Sequence, residues 1–165
     1  MGRGATKAVG NVWYEARINA AKYDDRLYSR EGAAERLNMS VDAIRNAELN
    51  ISKCMPVDKA VLMADTYNAP HLLNHYCLHE CPIGLHHPIS EEVLDIDRVT
   101  VKLLKKLKTE DLENIKTKLL DIAEDGIIDD AEKPELKKIL DYLDGLAKTV
   151  SELKIIGEMA LNGGG

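Results

Sequence analysis

Residues 29–50 read SREGAAERLNMSVDAIRNAELN, and their punctuation decides how the first half of the chain folds. Ser29 is a natural N-cap for a helix over residues 30–37, because its hydroxyl can accept from a backbone N–H that the first turn leaves over. Glu31 then lies near the positive end of that helix. Asn38 stands where the chain must reverse, and Asn tolerates the left-handed conformation better than most residues other than Gly. Ser40 caps a second helix running to about Glu48. Ala34 is small where two such helices must cross closely, while Leu37, Met39 and Ile44 point inward around the turn.

Working outward, residues 1–10 are Gly-rich and patternless, as in a mobile arm. From Val12 the apolar spacing is helical, and Trp13, Ala16, Ala20 and Ala21 fit a first helix through about Tyr23, which Asp24-Asp25 interrupt. Pro56 and Pro70 each sit where a first helical position would be, opening segments 56–66 and 70–76 with Asn68 as the stop between them. Residues 77–90, with Pro82, Gly84 and Pro88, are too punctuated for one helix. The helical pattern resumes at Glu91 through Ile96, Val99, Leu103, Leu112, Ile115, Leu119 and Ile122. Thr109 with Glu110 and Asp111 can begin a fresh helix, so a kink near 108 is expected. After a turn at Asp125-Gly126, Leu136, Ile139, Leu143, Leu146, Val150, Leu153, Gly157 and Ala160 form a heptad-like seam. A helix over 132–161 would be about 45 Å long. It must pack on its partner helix, on another subunit, or on both.

Composition agrees with an all-α chain. Among 165 residues, hydrophobic types make 45% and charged types 30%, the balance of a foldable domain, and only 4% are aromatic with no Phe at all. Sheet proteins draw more heavily on aromatic and β-branched residues, so helices packed through Leu, Ile, Ala and Met are favoured. No apolar run is long enough for a spanning helix, and the start lacks the apolar core of a secretory signal. Gly2 through Thr6 fits the loose myristoylation pattern, which is short and common. Three Cys cannot all pair within one chain, and a reducing cytoplasm is the expected compartment. The net charge of −6 divides unevenly, +1 over residues 1–75 and −7 over residues 76–165. An acidic second half argues against nucleic acid wrapped round the whole molecule.

Two short helices joined by a tight turn, with two more behind them, are the sequence plan of a helix-turn-helix domain. At residues 28–50, YSREGAAERLNMSVDAIRNAELN, the chain resembles the phage-repressor/Cro-like (Xre-type) helix-turn-helix regulators, and PVDKAVLMADTYNAPHLL resembles their next two helices. YNAPHLLNHYCLHECPIG, with the helical segment behind it, looks like a group of such regulators from Firmicutes and phages. The resemblance covers residues 11–84 well and the remainder loosely. It implies a five-helix lambda-repressor-like domain that binds double-stranded DNA. By the same resemblance Ser40 begins the recognition helix, and Val41, Asp42, Arg45 and Asn46 face the major groove. Arg30 would contact phosphate, and Lys53 would reach the backbone from the following loop. Asn46 can read adenine, Arg45 can read guanine or hold phosphate, and Asp42 can accept from cytosine. Three departures stand against this. Val41 cannot hydrogen-bond a base edge, Asp42 repels phosphate, and +1 is a weak charge for DNA binding. The alternative is a degenerate helix-turn-helix kept for folding or protein contacts.

All five His and two of the three Cys lie between His71 and His87. His71, His75 and His79 share one face if the helix of residues 70–76 continues, and Cys77 and Cys81 have C-x3-C spacing. A Cys2His2 zinc site is chemically available. The spacing matches no standard zinc module, however, and Pro82 should end the helix before the ligands align. The expectation is therefore structural: thiols packed at a helix end, with no bound metal. Residues 121–132 can be set against a calcium loop, with Asp121, Asp125, Gly126, Ile128, Asp129 and Glu132 at matching positions. Ala123 leaves one ligand position without an oxygen, and a plain turn closed by Gly126 and capped by Asp129 or Asp130 is expected. No nucleophile–base pair, phosphate loop or paired carboxylates point to catalysis, and no cofactor is implied. The expected plan is an arm at 1–10, a DNA-binding domain at 11–76, a connector at 77–90, an acidic helical hairpin at 91–161 and a tail at 162–165. The hairpin would make a homodimer through the C-terminal helices, spacing two recognition helices about 34 Å apart.

Overall fold

The computed structural model describes residues 7–52, 54–124 and 126–163. Most of the arm expected at residues 1–10, Gly2 included, lies outside these, as do Lys53 and Asp125. The described residues form eight α-helices and two 3-10 turns, with no strand. None of the helices is long and apolar enough to cross a membrane. The chain divides into two compact units, residues 1–87 with 158–165, and residues 88–157.

In the first unit, α1 (Val12–Ala20) starts at Asn11, whose side chain accepts from the N–H groups of Trp13 and Tyr14 at 2.9 and 3.1 Å. It ends before Tyr23 because Lys22 and Tyr23 donate only three residues back, to Asn19 and Ala20, tightening the last turn. A 3-10 turn at Asp25–Tyr28 leads into α2 (Arg30–Leu37), and a three-residue turn leads on to α3 (Val41–Glu48). Ser29 and Ser40 cap these two helices, accepting from Gly32 N at 3.0 Å and Ala43 N at 3.1 Å. After α4 (Val57–Thr66) comes α5 (His71–His79), which runs three residues past the segment expected from the sequence. A second 3-10 turn at Gly84–His86 closes the unit's main run.

Three helices of this unit end on Asn. Asn38, Asn50 and Asn68 have φ of 47°, 53° and 48°. In each case the Asn N–H donates three residues back and the next N–H donates five back: Met39 to Ala34 at 3.0 Å, Ile51 to Asn46 at 2.9 Å, Ala69 to Ala64 at 2.8 Å. This is the Schellman arrangement, which uses carbonyls the helix end leaves over. The short helices so produced pack through small residues. Ala16, Ala20, Ala33, Ala34, Ala47, Ala60 and Ala64 are buried around Trp13, Leu27, Leu37, Ile44, Met63 and Leu72. Alanine at the crossings lets helix axes approach without Phe to fill the space.

The second unit holds α6 (Ile96–Lys106), α7 (Thr109–Ala123) and most of α8 (Lys133–Asn162). The break between α6 and α7 falls at Leu107-Lys108, where the kink was expected. Asp95 caps α6 by accepting from Arg98 N at 2.9 Å. Before α8, Asp129 Oδ1 accepts from Ala131 and Glu132 N–H, and Glu132 Oε2 accepts in return from Asp129 N at 3.1 Å. That reciprocal pair is a capping box. Lys102 pairs with Glu152 at 2.7 Å, the Tyr142 hydroxyl donates to Lys106 O, and Lys118 pairs with Glu135. Residue numbers rise on one side and fall on the other, so α6 and α7 run antiparallel to α8. The apolar seam read along α8 is only partly covered. Ile139 is buried, but Leu143 and Val150 are 39% and 40% exposed, while Thr149 and Glu152 are buried in their place.

Candidate nucleic-acid interface

The inner face of α3 is fastened by charge as well as by packing. Ile44 and Ala47 are buried apolar groups, and Glu48 beside them is fully buried. Its carboxylate accepts from Arg17 Nε at 2.6 Å and Nη2 at 3.2 Å on α1, and from Arg30 Nε at 2.7 Å on α2. Arg17 is itself buried, and its Nη1 donates to the carbonyls of Leu27 and Tyr28 at 2.7 and 3.0 Å. The carboxylate thus ties three helices together and Arg17 adds the intervening 3-10 turn, with several hydrogen bonds offsetting the cost of burying charge. A second tie comes from Asn11, whose Nδ2 donates to Ala47 O at 3.1 Å and Asn50 Oδ1 at 2.9 Å. The N-terminus of α1 and the C-terminus of α3 are therefore joined by one amide side chain.

The outer face carries the residues singled out from the sequence. Ser40, Asp42 and Arg45 are exposed, and Asn46 is half-buried. Val41 is half-buried and packs against the core cluster, so its side chain turns partly inward. Arg30 lies at the head of α2 with its side chain 29% exposed, one nitrogen committed to Glu48. Lys53 lies outside the described residues. Two further basic groups, Arg26 and Arg36, are more than half exposed and share Asp24 as an ion-pair partner at 2.8 and 3.6 Å. The Arg26 hydrogen bond holds the Asp24 carboxyl below the usual carboxylate range. Gly32, in the first turn of α2, permits this loop to close: a Cβ there would stand 2.1 Å from Arg26 O.

Arg17, Glu48, Asn11 and Asn50 were not singled out by sequence reasoning. A signal was present. Arg17 falls on the same stripe as Trp13, Ala16 and Ala20, and Glu48 on the same stripe as Ile44 and Ala47. A charged residue on the buried stripe of each of two neighbouring helices marks a pair.

The His/Cys cluster spreads over several settings. His71, His75 and His79 lie on α5, His86 and His87 at the second 3-10 turn. Cys77 lies within α5 rather than just past it, since the helix continues to His79. Cys77 and Cys81 are half-buried free thiols, and burial, with Cys81 as a lesser cause, pushes the Cys77 thiol up. The backbone of Cys77 is covered by Gly84, where a Cβ would meet Cys77 O at 2.2 Å. In the 121–132 loop Gly126 has φ of 73°, and the carboxylates of Asp129 and Glu132 form the α8 capping box. Asp125 of the suggested calcium loop lies outside the described residues. No family model, no curated protein and no solved structure matches the chain.

Proposed function

We propose that this chain is a sequence-specific DNA-binding transcriptional regulator with a lambda-repressor-like head. It reads duplex DNA with the outer face of α3 and dimerises through its C-terminal helical hairpin. The observation that carries the reading is the contrast between the two faces of α3. Ile44, Ala47 and Glu48 are buried and tied to α1 and α2, whereas Ser40, Asp42 and Arg45 are exposed. A short helix held rigidly from behind, with a polar edge outward, is what insertion into a major groove requires. Arg45 then reads guanine or grips phosphate, Asn46 reads adenine, and Asp42 accepts from cytosine. Arg30 takes a supporting place, using one nitrogen to hold Glu48 and offering its exposed edge to phosphate.

Selection of bound duplexes from random DNA at fixed salt, followed by titrations at several salt concentrations, tests this. Asn46→Ala is expected to cost about 1–3 kcal/mol at one base position, and Arg45→Ala to lower the salt slope by about one if it grips phosphate. Absence of a salt-dependent shift with every selected duplex would remove the proposal. One observation favours a second reading, a protein-interaction module: Asp42 is exposed on the same edge as Arg45, and Asp24 neutralises part of the nearby positive charge. That reading gains if the α3 edge binds protein and no duplex.

A further inference from the structure

The geometry points to a divalent transition-metal site on α5, held by the imidazoles of His75 and His79. The two residues are one helical turn apart in a helix that runs unbroken from His71 to His79. Side chains four apart lie one above the other on a helix face. Their ring centroids are 4.4 Å apart with the planes inclined at 39°, and a ring nitrogen of each lies within 4.8 Å of the other. A zinc ion bound at about 2.0–2.1 Å from each nitrogen in tetrahedral geometry needs those nitrogens about 3.3 Å apart. Rotation about the side-chain bonds closes the difference without moving the backbone.

The site is built from one held ligand and one accessible one. Trp13 of α1 meets His75 edge to face, with ring centroids 6.0 Å apart and planes at 87°, which limits the freedom of that imidazole. His79, at the end of the helix, is exposed to an ion arriving from solvent. Imidazole pairs suit borderline ions such as Zn2+, Co2+ and Ni2+, with water completing the coordination. The nearby thiols are placed differently. Cys77 lies two residues from each His, about 200° round the helix from both, and Cys81 follows the helix end at Glu80. The two imidazoles, without thiolate, are therefore the ligands that α5 supplies. Binding would join the last turns of α5 beside Trp13 and stabilise the folded state by mass action. The inference stands apart from DNA reading, since neither His belongs to α3.

The test uses the full chain, freed of metal by chelation and titrated with Co2+ and then Zn2+. A single equivalent is expected to bind, with cobalt d–d bands and no thiolate-to-cobalt charge-transfer band. Zn2+ should raise the melting temperature of the native chain, and raise that of His79→Ala by clearly less at the same concentration. Affinity should fall at least about tenfold in His79→Ala, as expected for a lost ligand, and be kept in His86→Ala. A thiolate band, equal affinity in His79→Ala, or a melting temperature indifferent to Zn2+ would each overturn the assignment.

Discussion

Glu48 is the residue on which the first unit turns. Its carboxylate is fully buried between two guanidiniums, so removing it leaves Arg17 buried and uncompensated. Glu48→Ala is expected to cost about 3–5 kcal/mol in urea unfolding, against a few tenths for the exposed Glu31→Ala. A loss under about 1 kcal/mol would show the pair to act like a surface ion pair. Tyr67 offers the opposite case. It is buried, and its hydroxyl has no hydrogen-bond partner among the described residues. Burial raises its phenol well above the ordinary range, with Glu48 adding to the shift and the Arg17 charge opposing it. The unfolded chain ionises this group from about pH 10 while the folded chain keeps the proton. The contribution is thus whole below pH 10 and is lost as pH rises beyond it. Tyr67→Phe should be neutral, or stabilising by up to about 1 kcal/mol, at pH 8. Above pH 10 it should lose stability less steeply than the native chain, and parallel pH profiles would refute this.

Helix ends in the first unit are written mainly in single residues. Asn38 takes φ of 47°, where a Cβ without a polar side chain is strained. Asn38→Ala should therefore cost about 1–2 kcal/mol in urea unfolding, and Asn38→Gly much less. Gly84 is fixed for a different reason, the 2.2 Å approach of its missing Cβ to Cys77 O. Gly84→Ala should lower stability by about 1–3 kcal/mol through overpacking, read as a fall in melting temperature. The same local chemistry explains what was legible from sequence. Ser29, Asn38 and Ser40 mark α2 and α3 to the residue, because caps and left-handed turns depend on neighbours in the chain. The end of α5 was not legible, since Pro82 constrains Cys81 but says nothing about residues 77–79. The fastening of Glu48 was hidden because periodicity treats charge as outward-facing. The same habit passes over α8, where Thr149 and Glu152 are buried while Leu143 is left exposed in the single chain. Only a partner such as Lys102, distant in sequence, makes that burial tolerable. For the proposed interface, exposure of Asp42 and Arg45 followed from the helix pattern, whereas the inward turn of Val41 depended on how closely α3 packs on the core.

At the scale of the molecule, the second unit leaves apolar area on its longest helix. Leu140, Leu143 and Val150 lie on one side of α8 and are 52%, 39% and 40% exposed. Under the dimer proposal this stripe is the self-complementary surface. Sedimentation of the full chain at micromolar concentration should give a dimer, and Leu143→Asp with Val150→Asp should give a folded monomer. A native chain that sediments as a monomer, with and without DNA, would end the proposal. The way α8 is shared between the units has a consequence for synthesis. The first unit includes residues 158–165, and Asn68 Nδ2 donates to Met159 O at 3.0 Å, a bond between residues 91 apart. Residues 88–157 are thus an insertion in the first unit, which gains its last segment only after that insertion has been translated. Domains otherwise tend to fold from the N-terminus as they emerge. Here the unit that starts first is finished last, and a fragment ending at residue 87 leaves that Asn68 amide without its Met159 partner.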